Sequence, residues 1–311
     1  MKNVLLTIAI VALAASPASA QLGRALDLAK KVAARANQDA EKKVAAAEQR
    51  KTGDYWVEEM KKVHARFKGK RGTLALFGDS ITVSMAFWAS LKWDHKNMDE
   101  PTAAAFQRVK AYMADDCWQK WRGPKYGNEG RMTIRWAHAN VDRWLKELNP
   151  EVALIMFGTN DLGSLSVQEY EKKTREVVRK CLDNGTIVIL STIPPRRRHE
   201  RKTMIFVTAL RKIARDMKVP LCGFYQAVMD RRPHDWDGGD GQFKKVPGGT
   251  YEVPTLIGRD GVHPSNPKTW RGDYSKQGLR HNGFVLRNYV TLHAYDGVIR
   301  KVLQPRRTAK K

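Results

Sequence analysis

At 311 residues the chain can bury one sizeable core, and its 42% hydrophobic and 28% charged residues exclude a disordered or a membrane protein. The formal charge is +24, from 56 Lys and Arg against 32 Asp and Glu. It favours anionic surroundings such as phosphate, acidic polysaccharide, lipid headgroups or nucleic acid, with a merely solvated basic surface as the alternative. Cys117, Cys181 and Cys222 are too few for a disulfide scaffold and lack zinc-ligand spacing. Cys181 in a helical pattern and Cys222 in an apolar run read as buried thiols.

In chain order, residues 1–20 read as a secretory signal peptide. Lys2 supplies a positive start, residues 4–15 an apolar run too short for a convincing membrane span, and Ala18-Ser19-Ala20 a small-residue cleavage site. This implies export to the periplasm or the extracellular space, which makes nucleic acid the least favoured partner. Residues 21–70 form a basic helical extension. Small residues recur at helical spacing over 22–51, and Val57, Met60, Val63 and Phe67 form a better apolar face after Gly53. The main domain is expected over 71–303, with a basic tail at 304–311.

Within the main domain, short continuous apolar runs at 74–77, 152–157 and 187–190 predict strands covered on both faces, with another short strand around Leu221. Helical patterns alternate with them. Thr133 is the expected cap of a helix ended by Asn149-Pro150. Ser166 and Glu169 make a capping box for the next, which ends at Asn184-Gly185. A third helix is expected over 202–217 and a closing one over 276–302. Such alternation predicts an α/β fold with a parallel sheet between helices. Residues 230–259 dissolve into Gly, Pro and Asp with scattered aromatics, too long for an ordinary connection, and read as a lid or substrate-shaping loop. Two smaller features stay open. The 234–240 stretch is either a solvated Asp/Gly turn or a calcium ligand set, and residues 196–201, rich in Arg, either overhang the site to hold an anionic group or start a solvated helix.

Three segments carry chemistry. Gly78-Asp79-Ser80 directly follows the first strand, at the carboxyl edge where ligands of parallel sheets gather. Gly158-Thr159-Asn160-Asp161 leaves the second at the same edge, and Asp260-Gly261-Val262-His263 places a carboxylate three residues before an imidazole. A serine nucleophile needs a base, and the base needs a partner that holds its tautomer.

These blocks, in this order, resemble the SGNH/GDSL hydrolase family over residues 73–303. The resemblance implies a three-layer α/β/α, flavodoxin-like fold and a serine ester hydrolase that needs no cofactor or metal. Ser80 would be the nucleophile, His263 its base and Asp260 the orienting carboxylate. The Ser80 N–H, the Asn160 side chain and Gly130 would form the oxyanion hole. Gly130 is placed by Gly127-Asn128-Glu129-Gly130-Arg131-Met132-Thr133, which has two residues before the threonine where the family has one. The expected substrates are short-chain esters such as acetylated polysaccharide. The alternatives are a lipid or lysophospholipid, acyl transfer to a sugar, or a non-catalytic surface-binding protein on the same fold. Basic patches would face an anionic polymer or cell surface. Residues 265–274, with Trp270, are expected to line the site beside His263.

Overall fold

The computed structural model describes residues 54–304. The expected signal peptide, the expected first extension helix and the basic tail beyond Gln304 lie outside the described residues.

Four parallel strands form the sheet: β1 (Leu74–Gly78), β2 (Val152–Met156), β3 (Ile187–Ser191) and β4 (Leu221–Cys222), in the order β1-β2-β3-β4. Every residue of β1, β2 and β3 is buried, which is why these runs are continuously apolar instead of alternating. Register places Leu74 beside Val152 and Val152 beside Ile187, so the carboxyl ends of β1 and β2 open at one edge.

Helices flank the sheet. α4 (Ile134–Leu148), α5 (Val167–Asp183) and α6 (Glu200–Asp216) pack side by side as one layer. α1 (Val57–His64), α3 (Glu100–Tyr112) and α9 (Gly283–Val298) form another, and the short α2 (Ser80–Val83), α7 (Phe224–Arg231) and α8 (Gly278–His281) connect at the edges. The compact unit begins at Tyr55, earlier than the boundary expected near residue 70. Trp56, Met60 and Val63 on α1 are buried in the core, and Tyr55 Oη donates to Val219 O at 2.8 Å.

Two helices differ locally from the sequence reading. Thr133 occupies the N-cap of α4 without a side-chain bond, because the buried Asp161 carboxylate accepts from Ile134 N–H at 3.0 Å instead. The closing helix is broken at Asn282, whose side chain caps α9 through Val285 N–H at 3.0 Å, and it ends in a π turn, Ile299–Leu303. The Ser166 cap is as expected, accepting from Glu169 N–H at 3.1 Å. Cys117, Cys181 and Cys222 are all buried free thiols.

A single bridge extends the sheet beyond β1. Gly78 N–H donates to Gly127 O at 3.0 Å and Glu129 N–H to Gly78 O at 3.2 Å, pairing Asn128 in parallel with Gly78. The chain leaving β1 thus goes first to one side, at Asn128, and then to the other, at β2. That reversal opens a crevice at the end of β1.

Candidate active site

Ser80 is the first residue of α2 and sits at this crevice. Gly78 permits the sharp exit, since a Cβ there would lie 2.1 Å from Thr82 Oγ1 and 2.9 Å from Met156 O. Asp79 caps the turn: its Oδ1 accepts from Ile81 N–H at 3.0 Å. The Asp79 side chain is fully buried, and burial pushes its carboxyl up to about 6 against the pull of that hydrogen bond and of the Arg287 and His263 charges.

Across the crevice, Ser80 Oγ lies 2.8 Å from His263 Nε2, and His263 Nδ1 lies 2.6 Å from Asp260 Oδ2. The other Asp260 oxygen accepts from Val262 N–H at 3.0 Å and His263 N–H at 3.1 Å. The carboxylate is thereby held by the loop whose imidazole it orients. Burial raises the Asp260 carboxyl, but the bonds from the His263 ring and from the Val262 and His263 backbone outweigh it and hold it below the usual carboxylate range. Gly261, at φ +68°, makes the turn between them, and its carbonyl accepts from Arg197 N–H at 2.9 Å.

Asn160 follows β2 at the same edge. Its Nδ2 donates to Met132 O at 3.0 Å and stands 3.4 Å from Asp79 Oδ2, a long contact that a stronger acceptor would displace. Gly130 is nearby in the chain, but its N–H donates to its neighbour's carboxylate, Glu129 Oε1, at 2.7 Å. The additional residue before Thr133 is absorbed by Arg131 in the left-handed region, at φ +65°. The structure thus brings Ser80, His263 and Asp260 into one hydrogen-bonded chain, sets Asn160 against the Ser80 turn through Asp79, and gives the Gly130 N–H another acceptor.

A pocket of about 490 Å³ opens on Ser80 and His263. Ser84, Tyr251, Glu252, Asn266 and Arg271 supply most of its polar lining, with Ala86 and Phe284 as apolar contacts. The Tyr251 ring stands edge-on to the His263 imidazole, with centroids 5.8 Å apart. The long loop therefore does shape the site, through residues 249–252. Of the 265–274 segment, Asn266 and Arg271 line the pocket, whereas Trp270 stacks on His281 at 5.0 Å and does not. Tyr251, Asn266 and Arg271 had no motif to mark them; the only signal was the composition of the loops that carry them.

The open features resolve in part. Arg196 donates to Thr159 O, and Arg197 to Arg259 O at 2.6 Å, so both tie loops of the site together. In the 234–240 stretch, Asp235 pairs with Arg232 at 2.5 Å and Asp237 accepts from Gly239 N–H at 2.9 Å, as in a hydrogen-bonded turn. Among the described residues, no group of three or more His, Cys, Asp or Glu is placed to hold a metal ion, and no helix is long and apolar enough to cross a membrane.

The model of the GDSL-like lipase/acylhydrolase family matches residues 76–267. Among solved structures the chain is similar to a psychrotrophic esterase, EstA, from Pseudoalteromonas sp., at 14% identity over 73% of this chain and 98% of that one, with a TM-score of 0.45. It is also similar to a lipase/acylhydrolase from Enterococcus faecalis, at 17% identity over 72% and 95%, TM-score 0.45. A GDSL-like lipase from Bacteroides thetaiotaomicron matches at 14% identity over 79% and 98%, TM-score 0.44. No curated protein matches the chain.

Proposed function

Because the chain belongs to the GDSL-like lipase/acylhydrolase family and is a carboxylic ester hydrolase, we propose that Ser80, His263 and Asp260 form its catalytic triad. The observation that supports this reading is the continuous hydrogen-bonded chain from Ser80 Oγ to the Asp260 carboxylate, opening on a pocket. In this mechanism His263 Nε2 takes the Ser80 proton as Oγ attacks the ester carbonyl. Asp260 steadies the imidazolium, and His263 returns the proton to the leaving alcohol. Water then enters and attacks the acyl carbonyl as His263 takes its proton, and His263 passes that proton to Ser80 Oγ as the bond to the acid breaks.

The developing oxyanion would be met by the Ser80 N–H, which as the first N–H of α2 has no acceptor within the helix. Asn160 Nδ2 would turn to it from its long contact with Asp79. Gly130 would join once the Glu129 carboxylate releases its N–H.

For the substrate, the lining favours a short acyl group on a hydroxyl-rich alcohol such as acetylated carbohydrate. Ser84, Glu252, Asn266 and Arg271 can hydrogen-bond sugar hydroxyls, and Ala86 and Phe284 offer the acyl group apolar contact. The charge of +24 favours an anionic polymer as the carrier of that ester. One experiment tests both levels. A fluorophosphonate probe should label Ser80, p-nitrophenyl acetate should turn over, and Ser80→Ala should lose both. Turnover of an acetylated acidic polysaccharide should fall steeply with added salt while that of p-nitrophenyl acetate barely changes. Labelling elsewhere would sink the triad, and equal salt response would remove the anionic polymer.

A further inference from the structure

Two arginines converge on the nucleophile turn from behind. Arg287, on α9, is 1% exposed; its Nη1 donates to Ile81 O at 2.5 Å and its Nη2 to Thr82 Oγ1 at 2.9 Å. Its guanidinium lies 3.5 Å from the centre of the Phe87 ring. Half-buried Arg122 donates from Nη1 to the carbonyls of Thr82 at 3.3 Å, Val83 at 2.9 Å and Ser84 at 3.0 Å, and from Nη2 to Phe87 O at 2.8 Å. Burial lowers both guanidinium pKa values, to about 9 for Arg287 and about 10 for Arg122, so both stay charged at neutral pH. Their hydrogen-bond partners are peptide carbonyls and a hydroxyl, and the buried Asp79 carboxyl is near enough for its charge to favour that of Arg287. One buried and one half-buried cation gathered on a four-residue helix need a reason, since an apolar side chain would avoid the cost of desolvating the charge.

The peptide connectivity supplies one. Ile81 C=O, bonded by Arg287, shares its amide with Thr82 N–H, which donates to Asp79 O at 2.9 Å. Thr82 C=O, bonded by Arg122, shares its amide with Val83 N–H, which donates to the same Asp79 O at 3.0 Å. Asp79 C=O shares its amide with Ser80 N–H. Two relays therefore start at an arginine, pass through one peptide each, and end on the amide that carries the Ser80 N–H.

We propose that Arg122 and Arg287 are positioning residues for ester hydrolysis, which hold the Ser80 turn and polarise the Ser80 N–H as an oxyanion donor through Asp79 O. The inference rests on the assignment of Ser80 as the nucleophile. Hydrogen bonds in a chain strengthen one another, and a cation at the head of the chain enlarges the effect where water is excluded. Neither guanidinium touches the substrate; each acts on the peptide that does.

The test is Arg287→Met and Arg122→Gln in the full chain. If an oxyanion donor contributes about 10²- to 10³-fold and the linked bond lost in each variant carries ~10–30% of that free energy, kcat should fall about 2- to 8-fold in each variant with KM little changed. Loss of kcat alone could come from a loosened turn, so the deciding readout is the infrared carbonyl band of the Ser80 acetyl-enzyme. It is formed from p-nitrophenyl acetate carrying ¹³C at the carbonyl and read by stopped-flow infrared spectroscopy before water releases the acid. A weaker Ser80 N–H leaves the ester carbonyl less polarised, so the band should move to higher frequency in both variants. A folded variant with the band at the wild-type position overturns the inference, whatever kcat does. If Arg287→Met does not fold, Arg122→Gln carries both readouts, because its site is half open to solvent. Wild-type protein that forms no acetyl-enzyme at Ser80 overturns the underlying nucleophile assignment instead.

Discussion

The two ends of the sheet each bury a carboxylate beside a strand, and they treat it differently. At the amino end Glu151, which immediately precedes β2, accepts from Gly72 N–H at 2.6 Å, from Tyr112 Oη at 2.9 Å and meets His64 Nε2 at 2.9 Å. Both oxygens are engaged, and α1, α3 and the approach to β1 are joined through one side chain. At the carboxyl end Asp79 has one firm donor, Ile81 N–H, and a long one in Asn160. The first arrangement is a fastening. The second keeps a donor ready to move, which costs stability and suits a site where charge develops during reaction.

Substituting the mobile donor should have the larger consequence. Asn160→Ala should lower kcat by about 10²- to 10³-fold with KM little changed, because the lost bond is made mainly in the transition state. The melting temperature should stay near wild type. A mutant that melts early and turns over normally per folded molecule would make Asn160 a fastening like Glu151, and the comparison would fail.

The reverse pattern is expected at the other end. Glu151→Ala strips buried donors on Gly72 and Tyr112 of their acceptor, at about 1–3 kcal/mol for each group left unpaired. Chemical denaturation should show the loss, while kcat of the folded fraction remains at the wild-type level. A fall in kcat without a fall in stability would show that the amino end communicates with the site.

The smallest effect is a matter of pH. Burial pushes the Asp161 carboxyl up to about 7, with the hydrogen bond from Ile134 opposing and the Asp79 charge adding to the rise. The folded state then binds this proton more tightly than the unfolded state. Asp161 is least costly below the ordinary carboxylate value, and stability is lost as pH rises through about 7. Asp161→Asn stays neutral and keeps an oxygen for Ile134 N–H. Its melting temperature should therefore gain on wild type progressively from about pH 4 to pH 8. A constant difference across that window would mean that the Asp161 charge is compensated in the folded protein.

Much of this organisation was legible from residues alone. The four strands lie where continuous apolar runs predicted them, because a strand covered on both faces has no polar side to show. Ser80, Asn160 and the Asp260–His263 pair were marked by short motifs at strand exits or on a loop, and such motifs are local by construction. The break at Asn282 also had a local signal, since Asn282-Gly283 is the same pair that ends α5 at Asn184-Gly185, and the contacts of Ser265 and Asn266 hold this turn in place.

By itself, then, the sequence determined the alternation of strands and helices, the order of the chemical blocks and the identity of the side chains that meet at Ser80. Tertiary structure decided which groups compete for them. That Asp161 replaces Thr133 as the cap of α4, that Glu129 holds the Gly130 N–H, that Trp270 turns away to His281 while Tyr251 stands edge-on to His263, and that Arg122 and Arg287 grip the Ser80 turn are all outcomes of packing. The reason is physical. Periodicity and capping reflect the backbone within a few residues, whereas Arg287 reaches a carbonyl 206 positions away in the chain. Only the closed fold determines which buried donor finds which acceptor.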